Sequence, residues 1–176
     1  MLESIISILA DNCALDPARP VVVGVSGGLD SMCLLDIVHK AGYPVLVACL
    51  NHGLRSESPA EVLLVKQVAE SLNSPFASQT VDTPKFALEA GLSVEAAARQ
   101  LRYDFLFSEA FRINAQAIAV GHTADDQAET VLMHLLRGAG LAGLRGMEYR
   151  SFLTSWSTEI PLVRPLLNTW RSEIVD

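Results

Sequence analysis

Six residues, Ser26-Gly-Gly-Leu-Asp-Ser31, stand between an apolar run and a helical pattern, so backbone N–H groups and a helix N-terminus should point at one spot. Such a spot attracts anions. Gly27 and Gly28 permit positive φ and the close approach of a phosphate, while Ser26 and Ser31 offer hydroxyls. The loop has neither the Gly-Lys-Ser/Thr of a Walker A motif nor Gly-x-Gly-x-x-Gly. A γ-phosphoryl transferase wants a lysine at the β/γ bridge. A site that holds pyrophosphate as a leaving group can rely on amides, Mg2+ and arginines instead. A plain two-glycine turn would leave the Ser/Asp/Ser chemistry without a purpose.

A second constellation is His122-Thr-Ala-Asp-Asp-Gln-Ala-Glu-Thr130. Thr123 and Asp126 have the spacing of a capping box, and acidic residues in a first helical turn are favoured by the macrodipole without any catalytic role. Glu129 lies beyond that turn, however, and Asp125, Asp126 and Glu129 can share one helix flank. Carboxylates crowded in this way repel one another unless a Mg2+ ion or a substrate ammonium sits among them. The metal or substrate reading is preferred to capping alone because the segment also follows a strand.

Glu95, Arg99 and Arg102 recur at i, i+4 and i+7 on one stripe. They make either an ion-paired helix face or a pair of cations for a polyphosphate, and charge alone leaves the choice open. His52, in Asn51-His-Gly-Leu-Arg55, follows a strand and can line a nucleotide pocket.

These residues need a scaffold. Pro20–Val25, Pro44–Leu50 and Ala115–Val120 are short apolar, β-branched runs of the kind buried on both faces of a parallel sheet, and Phe76–Val81 is a weaker alternating run. Helical spacing is expected from about Asp30 to His39, Ser58 to Leu72, Thr83 to Gly91, Ser93 to Arg112, and Thr123 to Gly138, with a looser remainder. Strands alternating with helices imply a doubly wound, Rossmann-like α/β fold, a parallel sheet of about five strands with helices on both faces. Ligands bind such sheets beyond the carboxyl ends of the strands, where strand order reverses. Ser26–Ser31, Asn51–Arg55 and Gly121–Glu129 all follow strands.

The chain has 176 residues, 50% of them hydrophobic and 19% charged, which suits one globular domain over 1–176. A net charge of −7 argues against a uniformly basic nucleic-acid surface. Residues 137–171 are locally arginine-rich, with Arg137, Arg145, Arg150, Arg164 and Arg171, and either meet phosphates or are scattered surface charges. The apolar start, Met1–Ala10, carries Glu3, lacks a basic lead and is too short to cross a bilayer. Cys13, Cys33 and Cys49 are odd in number and widely spaced, fitting neither a disulfide framework nor a zinc site, and a reducing cytoplasm fits best.

Taken together, these stretches resemble the ATP-pyrophosphatase (PP-loop) superfamily, of adenine nucleotide alpha hydrolase-like fold, and within it the tRNA(Ile)-lysidine synthetase family. The Ser26–Ser31 loop carries the superfamily resemblance. The narrower likeness rests on Asn51-His-Gly-Leu-Arg55, Glu95-Ala-Ala-Ala-Arg99 with Arg102-Tyr103, Gly121–Val131 leading into Leu136–Leu144, and Arg164-Pro-Leu-Leu167 with Arg171-Ser-Glu-Ile174. The resemblance implies ATP and Mg2+ as cofactors, with an isoleucine tRNA bearing a wobble cytidine and free L-lysine as substrates. It also implies a cytidine adenylated before lysine displaces AMP. Ser26, Gly27, Gly28, Leu29, Asp30, Ser31, Asn51 and His52 would then bind ATP. Asp30 with Asp126 or Glu129 would hold Mg2+, Arg99 would offset developing charge, and His122 would position tRNA or phosphate. Arg55, Arg102, Asp125, Arg137 and Arg145 would meet lysine or tRNA, with the division of labour among Asp125, Asp126 and Glu129 left open. Members of the family continue into C-terminal tRNA-binding domains beyond a point corresponding to Asp176, and a homodimer is implied by likeness alone. The competing expectations are a tRNA thiolase of the same superfamily, which would want paired cysteines or an iron-sulfur site, and a non-catalytic adenine-nucleotide domain, which would not need the acidic cluster.

Overall fold

A computed structural model describes residues 2–54, 58–138, 140 and 143–175. Helix α1 (Leu2–Asp11) precedes β1 (Val21–Gly24) and α2 (Leu29–Lys40), which lead into β2 (Val45–Asn51), α3 (Ser58–Ser71) and β3 (Phe76–Thr80). Two helices, α4 (Thr83–Ala90) and α5 (Val94–Arg112), run in series before β4 (Ala117–Val120) and α6 (Ala124–Leu136). The last part holds a 3-10 turn (Gly143–Arg145), β5 (Arg150–Ser151), β6 (Leu162–Val163) and α7 (Arg171–Val175).

The valine-rich runs pair in parallel about β1, with Val21 beside Val45 on one side and Ala117 on the other. Alternate residues then face opposite sides, as a pleated strand requires. Val21, Val23, Val45, Val47, Ala117 and Ala119 pack under α1, α2 and α3, while Val22, Leu46, Ala48, Ile118 and Val120 pack against α5 through Tyr103, Leu106 and Ala110. Both faces are therefore dry, which is why these strands read as unbroken apolar runs.

The sheet order is β3-β2-β1-β4-β6-β5. Among the described residues it has six strands where the sequence suggests about five, and β5 runs antiparallel to β6. The looser C-terminal remainder supplies the difference. Its two strands are two residues each, too short for a period-two pattern to register. The edge strand β3 is half exposed, in keeping with its weak alternation.

Chain order reverses between β1 and β4: β2 and β3 extend the sheet to one side, and the chain then returns to lay β4 on the other. The crevice beyond the carboxyl ends of β1 and β4 is the ligand position such topologies create. The α5 helix closes its floor, capped by the Ser93 hydroxyl accepting from Ala96 N–H at 3.1 Å.

Candidate active site

The turn after β1 is shaped by its own side chains. Gly27 takes φ +86°, a region in which an L side chain is strained, whereas Gly28 is extended (φ −76°, ψ 156°) and serves as the N-cap of α2. Only one of the two glycines thus uses the left-handed freedom expected of both. The Ser31 hydroxyl is also committed inward. It accepts from Ser26 N–H at 3.1 Å and donates to Gly28 C=O at 2.9 Å, and Ser26 Oγ lies 3.3 Å away. Ser31 therefore braces the bend, leaving Ser26 Oγ and the first-turn amides of α2 as the groups able to meet an anion.

After β2, the Asn51 carboxamide accepts from Gly53 N–H at 2.9 Å, so Asn51 shapes its loop. Gly53 has φ +64°, and a Cβ there would lie 2.7 Å from the Val81 carbonyl oxygen. His52 Nδ1 is 3.4 Å from Thr83 Oγ1. Burial first, then the Arg102 charge, pushes His52 below the usual imidazole value. Arg55 lies outside the described residues.

The turn after β4 carries the acidic group. Gly121 presses so close to the first turn of α2 that a Cβ would meet the Asp30 carbonyl carbon and oxygen and Ser31 Cα, each at 3.1 Å. Five residues on, Asp126 Oδ2 accepts from Thr123 N–H at 2.8 Å and from Thr123 Oγ–H at 3.1 Å. Its other oxygen, Oδ1, takes a 2.7 Å bond from Arg171 Nη2, while Arg171 Nε donates to Asp30 Oδ2 at 3.0 Å. Capping and site roles are thus not rivals: one oxygen of Asp126 closes the cap while the other faces the crevice. Asp125 Oδ2 accepts from the Arg171 backbone N–H at 2.9 Å.

His122 is partly buried, and its Nδ1 is enclosed with no hydrogen-bond partner. Burial chiefly, then the neighbouring Arg164 charge, lowers its pKa to about 4, so the ring is neutral at physiological pH. Arg164 is 5% exposed and donates to Glu148 C=O and Ser151 Oγ at 2.9 Å each. Its Nε is, among the described residues, the other enclosed side-chain polar atom without a partner, and desolvation is the main cause that lowers its pKa.

On α5, the Arg99 guanidinium carbon lies 5.0 Å from the Tyr103 ring centroid, a cation–π contact. Arg102, one turn along, points between two adjoining clefts. One cleft, of about 270 Å3, is lined by Ser26, Gly28, Asp30, Ser31, His52, Arg102, His122, Asp126 and Arg171 over an apolar floor that includes Ala48, Leu50, Tyr103 and Leu106. The other, of about 370 Å3, shares Ser26, Gly28, Leu50, His52 and Arg102 and adds Asn51, Leu54 and Glu61. Each alone is at the small end for a cofactor site, but together they suit a nucleotide with a second reactant.

Several expected site residues line neither cleft: Gly27, Leu29, Arg99, Asp125, Glu129, Arg137 and Arg145. Leu29 is 61% exposed at the start of α2. Glu129 is exposed one turn along α6. Arg137 caps the far end of a 13-residue helix, about 20 Å along its axis from the crevice, and Arg145 pairs with Glu148 at 3.4 Å. Arg171, Tyr103 and the close contact at Gly121 are the features that spacing could not reveal. Arg171 and Arg164 stood in the C-terminal segment that carried the family likeness, but no local pattern ties Arg171 to Asp30, 141 positions away.

Among the described residues no group of three or more His, Cys, Asp and Glu side chains converges as a metal cage. Mg2+ seldom uses one: it takes one or two carboxylates and completes its shell with water and substrate phosphates. Asp30 Oδ2 and Asp126 Oδ1, near enough to be spanned by one guanidinium, fit that donor set. All three cysteines are free thiols. Burial pushes Cys13 up to about 12 and Cys49 up to about 11, and it also raises Cys33, so none is a ready thiolate. No helix among the described residues is long and apolar enough to cross a membrane.

Comparison with known proteins gives a consistent outcome. Residues 2–176 match the family described as the PP-loop domain. A protein named tRNA(Ile)-lysidine synthase from Thermus thermophilus is 42% identical over 160 residues, covering 91% of this chain and 30% of that protein. One of the same name from Clostridioides difficile is 33% identical over 179 residues, covering 99% of this chain and 37% of that protein. The chain thus spans about a third of the length of these two relatives. Among solved structures, the U34-tRNA thiolase NcsA from Methanococcus maripaludis superposes with a TM-score of 0.79 at 16% identity, over 99% of this chain and 60% of that one, a likeness of fold.

Proposed function

Because the chain belongs to the PP-loop domain family, we propose that it splits ATP between the α- and β-phosphates to adenylate the wobble cytidine of an isoleucine tRNA, and then joins L-lysine to C2 of that base. The observation that carries this reading is the meeting, at the reversal of strand order, of a lysine-free phosphate turn with the carboxylates of Asp30 and Asp126. The relatives named tRNA(Ile)-lysidine synthase support the choice of substrate.

In the first step the C2 carbonyl oxygen of cytidine attacks the α-phosphorus, and the bond to the β-phosphate oxygen breaks. The departing pyrophosphate is received by Ser26 Oγ and the amides opening α2, which need no reorganisation because Ser31 already fixes the bend. Mg2+, held by Asp30 and Asp126, would neutralise charge on the phosphates. Arg102 stands between the two clefts and offsets negative charge as it develops, a role for which Arg99, stacked on Tyr103, is less directly placed.

In the second step the lysine amine, its ammonium proton given up to solvent, attacks C2, the bond from C2 to the adenylated oxygen breaks, AMP leaves with that oxygen, and the proton shed by the attacking nitrogen passes to solvent. Glu129, exposed on α6 and lining neither cleft, is a carboxylate available to the lysine ammonium as it approaches. His122, neutral and dry on one side, positions the base or a phosphate through its outward edge and does not donate a proton as an imidazolium.

The test combines the full-length protein with labelled lysine, ATP and tRNA transcripts of differing anticodons. Transfer of label to the transcript with a wobble cytidine alone is expected. Transfer regardless of that base, or no transfer, would overturn the assignment.

A further inference from the structure

One guanidinium holds both carboxylates proposed for the metal. Arg171 Nε meets Asp30 Oδ2 at 3.0 Å and its Nη2 meets Asp126 Oδ1 at 2.7 Å, and these contacts, led by the bond to Asp30, raise the arginine's own pKa. Oδ2 of Asp126 is engaged twice by Thr123 in the helix cap, which leaves Oδ1 as its more open oxygen. A cation that coordinates Asp126 without disturbing that cap therefore takes the same Oδ1 that Arg171 now occupies.

We propose that Arg171 is a positioning residue that stands in for the metal: it keeps Asp30 and Asp126 converged while the cation is absent and leaves them when the cation arrives. Without a counter-charge, two carboxylates that close would repel and turn apart. The bridge is also of a kind that exchanges easily, since Arg171 is half exposed and solvent-screened ion pairs are weak.

Its release is felt in the chain. Arg171 is the first residue of α7, whose approach is stitched to α6 by Ala124 N–H donating to Thr169 C=O at 3.0 Å and by Arg171 N–H donating to Asp125. Beyond it Ile174 packs against the core under α2. The Arg171 side chain is one of the tethers of α7, beside Ile174 and the backbone bonds to α6, so loss of its bridge loosens the start of the helix. Cation binding in the crevice and order in α7 are thereby coupled.

This inference rests on the reading that Asp30 and Asp126 take the cation. Its test needs neither tRNA nor lysine, so its failure is distinguishable from failure of lysidine formation. Mn2+ alone serves as the probe, titrated into the protein and into Arg171→Ala and followed by electron paramagnetic resonance. Because an arriving cation draws the two carboxylates together itself and no longer has to displace a guanidinium, Arg171→Ala should on balance bind Mn2+ about three- to tenfold more tightly. Amide hydrogen exchange over residues 172–175 gives the second readout, one that a general change in charge would not move. Exchange should quicken in the parent protein when Mn2+ is added, and should already be fast and indifferent to Mn2+ in Arg171→Ala. Equal or weaker Mn2+ binding by Arg171→Ala, or α7 exchange unaltered by the metal in the parent, overturns the stand-in and leaves the metal site intact. No Mn2+ binding by either protein overturns both.

Discussion

The Gly121 backbone lies so close to Asp30 that a methyl group built on it would sit 3.1 Å from the Asp30 carbonyl oxygen. The ends of β4 and β1 are thereby packed backbone to backbone at the point where the sheet reverses, and the acidic turn is held against the phosphate turn. Both sides of the contact are main chain, which yields little.

Gly121→Ala is therefore expected to push the two turns apart. Stability should fall by about 1 to 3 kcal/mol through overpacking, and ATP affinity by about tenfold or more through misplacement of the turn. Denaturant melts and ATP titration measure the two effects. An unchanged ATP affinity would mean that the contact only supports the fold.

Asp126→Asn separates the two oxygens' duties. An asparagine can still accept from Thr123 N–H and keep the cap, so stability should change by less than about 1 kcal/mol, while the charge facing Arg171 and the cation is lost. Turnover should drop by about a hundredfold or more with the fold retained. Full retention of function in this variant would favour a domain that binds adenine nucleotide without turning it over.

His122 makes stability depend on pH in a stated direction. Its folded pKa, about 4, lies below the ordinary 6.5, so the unfolded chain binds the proton first as pH falls. The stability it leaves intact is fully present above pH 6.5 and is lost between 6.5 and about 4, up to about 3 kcal/mol in all. Urea melts at a series of pH values on the parent protein and on His122→Gln should differ in slope across that window. Parallel curves would show that the ring is free to take a proton in the folded state.

How much of this was legible in the sequence follows from the range of each interaction. The strands β1, β2 and β4 are visible because burial on both faces forces unbroken valine, alanine and isoleucine runs, and Ser93 and Thr123 mark helix starts by local chemistry. The phosphate turn is equally local. The inward use of Ser31 is not, since a serine offered to a ligand and one bracing its own loop have the same letter and position. Arg171 was out of reach of spacing rules for a different reason: its partners come from two other turns, brought beside it only by sheet order. The pairing of β5 with β6 is invisible because two residues carry no period.

The cysteines offer a check on the competing sulfur-transfer chemistry. Cys13 and Cys49 are buried, with thiol pKa values pushed up to about 12 and about 11, so neither should react with iodoacetamide at pH 8 in the folded protein. On the proposed function, a variant with Cys13, Cys33 and Cys49 all replaced by alanine should turn over within about twofold of the parent, apart from loss through packing. Rapid alkylation at Cys49 together with lost turnover would point instead to a thiolase.

The fate of ATP's α-phosphate bears most directly on the reading of the Ser26–Ser31 turn as a cradle for a departing diphosphate. With α-labelled ATP, lysine and the wobble-cytidine transcript, label should appear in AMP, matched mole for mole by pyrophosphate. Label recovered in ADP, with orthophosphate released, would contradict it.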